Sequence, residues 1–431
     1  MKIRLLLLII SVVGFAYAEI SFAPGDGTNV GLIIYSPDTG KTVYSHNADT
    51  LFSYASNLKL LTAAAALDTL GGGHHFITYF GYDTKNATLY IKGGGNPVMV
   101  MEDLYLMARR MKGAGFGKVD TVVVDDFLYG AQGFLSPPGV KERGDKSYLA
   151  YISPLSLNYN TVAIAVTPDS TGKKPHIEIR TPGKYFTIQN RAKTVAGTEK
   201  KLTVNAVDAG GKTMIVVKGR IGAEKRYAAM YYRKIWHPTH HYIAVLLHYL
   251  GQESEPILIR RELADSVFSA KFIKPKLHYS KPLRDIVRIM NVHSSNSTAE
   301  NLQFYLGSFV KGDATQGVEV LKEFARNKLG YEMDIINGSG LANDKNLLKP
   351  AAVMELLKYA YNDPFFRIDF YSSLPVYGEE GTILKMPGFD NPGVARAKSG
   401  LLSGVAALSG MVKGKDGKAF LFTFVVNRFE W

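Results

Sequence analysis

Residues 56–70 read Ser-Asn-Leu-Lys-Leu-Leu-Thr-Ala-Ala-Ala-Ala-Leu-Asp-Thr-Leu, and Gly71-Gly72-Gly73 follows at once. Leu and Ala favour a helix, and the glycines stop it. A helix apolar on every side must be enclosed by other elements, so this segment predicts a domain large enough to surround it. The polar residues at its mouth, Ser56 and Lys59, are then drawn towards the interior with it.

Other segments supply candidates for the enclosure. Gly31–Tyr35 and Thr42–Ser45 flank Pro37-Asp38-Thr39-Gly40 and read as a hairpin. Leu283, Ile286, Val287 and Met290 stand at helical spacing, and Ser297 with Glu300 matches a capping box, which predicts a second helix from there. Ala351–Tyr361 reads as helix, and Val405–Val412 and Phe420–Val426 read as strands about the turn Gly414–Gly417. Between them lie a helix over Asp103–Lys112, a strand over Val119–Val124, strands at Val162–Val166 and Met214–Val217, a helix over Tyr242–Leu250 and an extended Ile257–Ile259. The fold class expected is α+β and multi-domain, since 431 residues suggest two or three domains.

Met1–Arg4 is basic, Leu5–Phe15 is apolar, and Ala16-Tyr17-Ala18 is a small-residue cleavage site. That layout predicts a signal peptide over 1–18, a mature chain from about Glu19, and a periplasmic or other extracytoplasmic address. No later run reaches the roughly 20 apolar residues of a membrane span. The absence of cysteine excludes disulfides, thiolate metal sites and a cysteine nucleophile. Lys and Arg number 51 against 38 Asp and Glu. Export sets nucleic acid aside, leaving wall or peripheral membrane association open; the charges read as scattered, so a solvated basic surface is expected.

Three short constellations could carry chemistry. Ser56-Asn57-Leu58-Lys59 places a hydroxyl and an amine three residues apart on one helix face. Burial lowers a lysine pKa, so the neutral amine could take the serine proton. The same spacing recurs at Ser170/Lys173 and Ser308/Lys311, where a helix cap and a solvated lysine explain it as well. Ser294-Ser295-Asn296, in the turn between two helices, could relay a proton and hold an amide; an ordinary polar turn is its bland account. Lys398-Ser399-Gly400, opening a strand, could bind a carboxylate, with Gly400 letting a substrate backbone approach closely. His237, His240, His241 and His248, with His74-His75, form no recognised ligand spacing, and neither metal nor cofactor is expected.

Together and in this order, the three motifs resemble those of penicillin-recognising serine enzymes. The chain resembles the class C low-molecular-mass penicillin-binding proteins, the D-alanyl-D-alanine carboxypeptidase/endopeptidases. Further matches are Gly93–Pro97, Pro154–Asn158, Asn291–Glu300, Gly338–Leu341, Ser373–Pro375 with Gly381-Thr382, and Ala397–Gly410. The resemblance implies a serine β-lactamase/transpeptidase-like domain of helices and antiparallel sheet over 19–71 and 278–431. It implies mostly-β insertions: a domain II over 72–157 and 228–277 and a domain III over 158–227. The 235 positions from Lys59 to Ser294 (294 − 59) leave room for them. It implies acylation of Ser56 with Lys59 as base, proton relay by Ser294, substrate binding by Asn296 and Ser399, and a terminal carboxylate held by Lys398. Gly400 belongs to the same substrate strand, and the backbone N–H groups of Ser56 and Leu401 form the oxyanion hole. Peptidoglycan stem peptides are the implied substrate and β-lactams the implied covalent inhibitors.

The chain also departs from the family. Asn337 and Asn343 stand where an aspartate and an arginine are usual, Asn96 replaces an aspartate, and the sequence runs only to Trp431 where a final helix is usual. Without that arginine, little discrimination at the third stem-peptide residue is expected. A β-lactamase shares the fold, but the long insertion and the lack of a matched deacylation base argue against it. A non-catalytic wall-binding or sensor protein is the other alternative, and it would be favoured by loss of Ser56 or Lys59; both are present.

Overall fold

The computed structural model describes residues 29–140, 144–225, 227–342, 345–386 and 391–428. The signal peptide at 1–18, the start at Glu19, Asn343 and Trp431 lie outside the described residues. The chain divides into two units. One comprises residues up to His74, Pro138–Val140 and residues from Pro282; the other comprises His75–Pro137 and Lys141–Lys281.

In the first unit, Lys59–Leu70 is the buried helix, and everything from Lys59 to Leu67 is inaccessible to solvent or nearly so. It stops at Gly71, whose φ of 78° suits glycine. Helices Leu283–His293, Asn296–Lys311, Gly317–Phe324, Pro350–Asn362 and Pro364–Ser372 pack around it. A five-stranded antiparallel sheet closes the unit in the spatial order Ala395–Leu402, Val405–Lys413, Ala419–Asn427, Asn29–Ser36, Lys41–His46. Alternating Val30, Leu32 and Ile34 join Leu408, Phe422, Phe424 and Val426 on one face, as the period of two requires. On the other face a Cβ on Gly31 would lie 2.7 Å from the Pro350 ring, so glycine lets the Pro350–Asn362 helix sit directly on the strand.

The second unit holds a mixed five-stranded sheet and two three-stranded sheets. In the former, Thr88–Lys92 and Thr121–Asp125 are parallel, and helices Met101–Gly113 and Pro238–Leu250 bury Leu104, Met107, Tyr242 and Leu246 against Ile91, Val122 and Val124. The three-stranded sheets enclose Val162, Ile164, Val204, Ile215 and Val217. Strand Ala229–Lys234 pairs with Thr161–Thr167, so it shares a sheet with the 158–227 stretch rather than with the residues after it.

Two expectations are corrected. The helix after Leu283–His293 starts at Asn296, and its cap is Ser295, whose Oγ accepts from Thr298 N at 3.2 Å. Ser297 and Glu300 form no capping box; Glu300 turns inward. The positive charge is also not scattered: residues 158–234 carry 15 Lys and Arg against 5 Asp and Glu, ten of the chain's 13 excess charges.

Candidate active site

Ser56 sits in the 3-10 turn Ala55–Leu58 that feeds the buried helix, half-buried at its mouth. Ala55 before it has a φ of 48°, a left-handed conformation that costs about 1–3 kcal/mol in a residue with a side chain. Three packed partners hold the turn. Asn57 Nδ2 donates to the Lys398 carbonyl at 2.8 Å. A Cβ on Gly340 would lie 2.0 Å from the Ala55 carbonyl, and one on Gly400 would lie 2.3 Å from the Tyr54 carbonyl and 3.2 Å from Ser56 N. Gly400 is therefore required by the packing of its strand on the serine turn, a reason separate from the substrate approach expected of it. The neighbouring Leu401 projects an exposed side chain beside this turn.

Lys59 has no solvent-exposed surface. Its Nζ bonds to Ser56 Oγ at 2.9 Å, Asn296 Oδ1 at 2.7 Å and the Ser339 carbonyl at 2.8 Å. Two of these partners can only accept. Once Lys59 is neutral its two N–H groups are committed to them, and its lone pair is left facing the Ser56 hydroxyl. Desolvation pushes the amine down to about 7, against the opposing pull of the Glu300 charge. Glu300 is itself pushed up to about 7 by burial, although its carboxylate accepts from Gly338 N at 3.3 Å and Ser339 N at 3.1 Å. The two groups interact and so titrate as a pair.

Ser294 ends the Leu283–His293 helix in the left-handed region, φ 53°, which turns the chain sharply before Asn296. Its Oγ accepts from Lys398 Nζ at 3.0 Å, and Lys398 also donates to the Ser399 carbonyl at 2.7 Å. Lys398 is fully buried, and desolvation, reinforced by the charge of Lys59, holds its pKa well below the ordinary lysine range. It offers no surface for direct contact with a carboxylate, contrary to the expectation for it. The accessible donors here are the hydroxyls of Ser399 and Thr382, 2.6 Å apart.

Ser56, Lys59 and Asn296 thus form one hydrogen-bonded set and Ser294, Lys398 and Ser399 another, and the Asn57 bond to the Lys398 carbonyl ties the two together, although these residues come from three distant stretches of chain. The other Ser-x-x-Lys pairs leave Lys173 and Lys311 exposed. Asn57, Glu300, Ser339 and Thr382 lie within the quoted motifs and matching stretches, but the sequence assigns none of them a part in the site. Glu300 could have been found four residues after Asn296, on the same helix face. Asn337 replaces the usual aspartate as a local brace: its Oδ1 accepts from Gly340 N at 2.9 Å and its Nδ2 donates to the Pro138 carbonyl at 3.0 Å. His237 Nε2 lies 2.7 Å from Asp208, and His241 is buried. Among the described residues no group of three or more His, Cys, Asp or Glu could hold a metal, and no helix is long and apolar enough to cross a membrane.

This serine–lysine–serine constellation can be set beside known proteins. A D-alanyl-D-alanine carboxypeptidase of Actinomadura sp. strain R39 is 28% identical over 93% of this chain and 78% of its own length. The D-alanyl-D-alanine carboxypeptidase DacB of Haemophilus influenzae is 24% identical over 94% of this chain and 86% of its own. The crystal structure of penicillin-binding protein 4 from Haemophilus influenzae shares the fold with a TM-score of 0.76 at 19% identity, covering 94% of this chain and 92% of that one. A predatory endopeptidase of Bdellovibrio bacteriovorus follows at 0.54 and 16% identity, with 93% and 87% covered. The D-Ala-D-Ala carboxypeptidase 3 (S13) family matches residues 18–430, a span that includes the buried helix, the interhelical turn and the Ala395–Leu402 strand. The chain belongs to that family.

Proposed function

We propose that this chain is an exported serine D-Ala-D-Ala carboxypeptidase/endopeptidase that trims peptidoglycan stem peptides and is acylated by β-lactams. One observation carries the reading: a fully buried lysine whose amine has two committed acceptors and the Ser56 hydroxyl as its third partner. Ser56 Oγ attacks the carbonyl carbon of the penultimate D-Ala while Lys59 Nζ takes its proton. The backbone N–H groups of Ser56 and Leu401 receive the oxyanion. As the peptide C–N bond breaks, the proton reaches the leaving nitrogen through Ser294 Oγ, and free D-Ala departs. Water then attacks the ester carbon, Lys59 accepts its proton, and that proton returns to Ser56 Oγ as the shortened peptide leaves.

The substrate's terminal carboxylate rests on the Ser399 and Thr382 hydroxyls, with Lys398 behind them bonded to Ser294 Oγ and the Ser399 carbonyl. Asn296, fixed by Lys59, leaves its amide N–H for the substrate backbone. Protein groups alone supply this chemistry. The structure of penicillin-binding protein 4 from Haemophilus influenzae complexed with a β-lactam supports the expectation for inhibitors. The basic and apolar start and Ala16-Tyr17-Ala18 support export. Among the residues from His75 to Lys281, the separate five-stranded and paired three-stranded sheets support two inserted domains, with the second extended to about Lys234. Digestion of defined monomeric and crosslinked muropeptides by the mature protein tests the reading. Release of D-Ala, opening of D-Ala crosslinks, or both is expected; intact substrates would refute it.

A further inference from the structure

The positive charge of residues 158–234 is organised by strand register. In the sheet Lys200–Asp208, Thr213–Gly222, Phe186–Val195, Lys201 lies opposite Arg220, which lies opposite Lys193. Two residues along, Thr203 lies opposite Lys218, which lies opposite Arg191. Directly paired residues point to the same face, as do residues two apart. Five of six adjacent positions are therefore cations on one exposed face, while Ala192, Val204 and Val217 between them point into the core. Neighbouring strands lie about 4.8 Å apart and alternate residues about 6.8 Å, so the like charges crowd one another.

Glu199 pairs with Lys201 at 3.1 Å and approaches Arg220 at 3.7 Å. Among the described residues no ion pair engages Arg191, Lys193 or Lys218. Like charges directly opposite on adjacent strands destabilise a sheet, and the core behind them gains nothing from their sign. The arrangement makes sense when an anionic partner neutralises it.

We propose that this face is a docking surface for the peptidoglycan polymer itself, bound through the carboxylates that its repeated stem peptides present. The inference rests on the reading that the chain acts on peptidoglycan. A rank of fixed cations can engage several carboxylates at once, so weak single contacts add up to attachment on an insoluble polymer. The six-position grid carries no apolar side chain to enter a lipid layer, which favours a polymer over a membrane.

The test compares the mature protein with R191Q/K193Q/K218Q and with R191K/K193R/K218R. Binding to purified sacculi stripped of secondary polymers is measured by sedimentation, beside kcat/KM on a soluble D-Ala-D-Ala pentapeptide. Wild type should bind sacculi and release them about tenfold more readily at 0.5 M than at 0.05 M salt, because exposed charges are screened. The glutamine variant should lose binding by about tenfold or more, while the charge-keeping variant retains it. Pentapeptide turnover should stay within about twofold in both, and thermal stability of the glutamine variant should hold or rise. Equal binding by all three proteins overturns the proposal. So does binding only to sacculi that keep phosphate polymers, or only to anionic phosphatidylglycerol vesicles. Absent pentapeptide turnover in wild type instead refutes the catalytic reading, whatever the sacculi show.

Discussion

Replacing Glu300 by Gln should move the pH dependence of acylation to lower pH. In the native site, burial brings the Lys59 amine from its ordinary 10.5 to about 7. That is about 3.5 units, or about 5 kcal/mol at about 1.4 kcal/mol per unit. At pH 7 about half the molecules then carry the neutral amine, against roughly one in three thousand for a solvated lysine. Acylation needs the neutral form, so its rate should climb about tenfold per unit below pH 7 and level off above it. The Glu300 charge opposes the depression, because it favours the ammonium. Glutamine keeps the shape but removes that charge, so the rising limb should shift down by about one unit. One of the two N–H groups that Glu300 accepts loses its partner, which adds about 1–3 kcal/mol of destabilisation. The assay is the second-order rate of labelling by a fluorescent penicillin between pH 5 and 9, with thermal melting as a control. An unmoved limb, or one displaced upward, refutes this account of the lysine.

Three further outcomes are expected. Lys59→Arg keeps a cation that cannot lose its proton, so labelling should fall by about a thousandfold or more; near-normal labelling would place the base elsewhere. Gly400→Ala puts a methyl 2.3 Å from the Tyr54 carbonyl, so it should cost about 1–3 kcal/mol in denaturant unfolding and slow labelling as the Ser56 turn shifts; a silent change would mean the turn is not held this way. With Asn343 in place of the family's usual arginine, kcat/KM on matched diaminopimelate and lysine peptides should differ little; a preference for diaminopimelate of about a hundredfold would show that the side-chain carboxylate is still read.

What could be read from the sequence follows the range of the interactions. The buried helix, its glycine stop and the Ser56–Lys59 pairing depend on neighbours within a turn or two, and composition and spacing reveal them. The hydroxyl–lysine contacts that complete the cleft join residues more than a hundred positions apart, as from Ser294 to Lys398, and only motif order hinted at them. Three residues after Ser297, Glu300 has capping-box spacing, but four after Asn296 it also lies on that residue's face and projects inward; the cap is Ser295, placed there by the left-handed turn at Ser294. The packing of Gly400 on the Tyr54–Asn57 turn cannot be read from the sequence, because a contact between a strand and a turn over three hundred positions away has no local signature. The cation face has no local signature either: Lys193, Lys201 and Arg220 are spread along the chain, and only strand register sets them side by side.

The central claim is that Ser56 is the nucleophile that opens a D-Ala-D-Ala bond, and mapping the covalent adduct tests it most directly. The mature protein and Ser56→Ala are incubated with a β-lactam, digested, and the modified peptide identified by mass, while D-Ala release from a soluble pentapeptide is followed in parallel. The account predicts one adduct, on the peptide carrying Ser56, and loss of both the adduct and D-Ala release in the variant. An adduct on any other serine, or undiminished D-Ala release by Ser56→Ala, would contradict it.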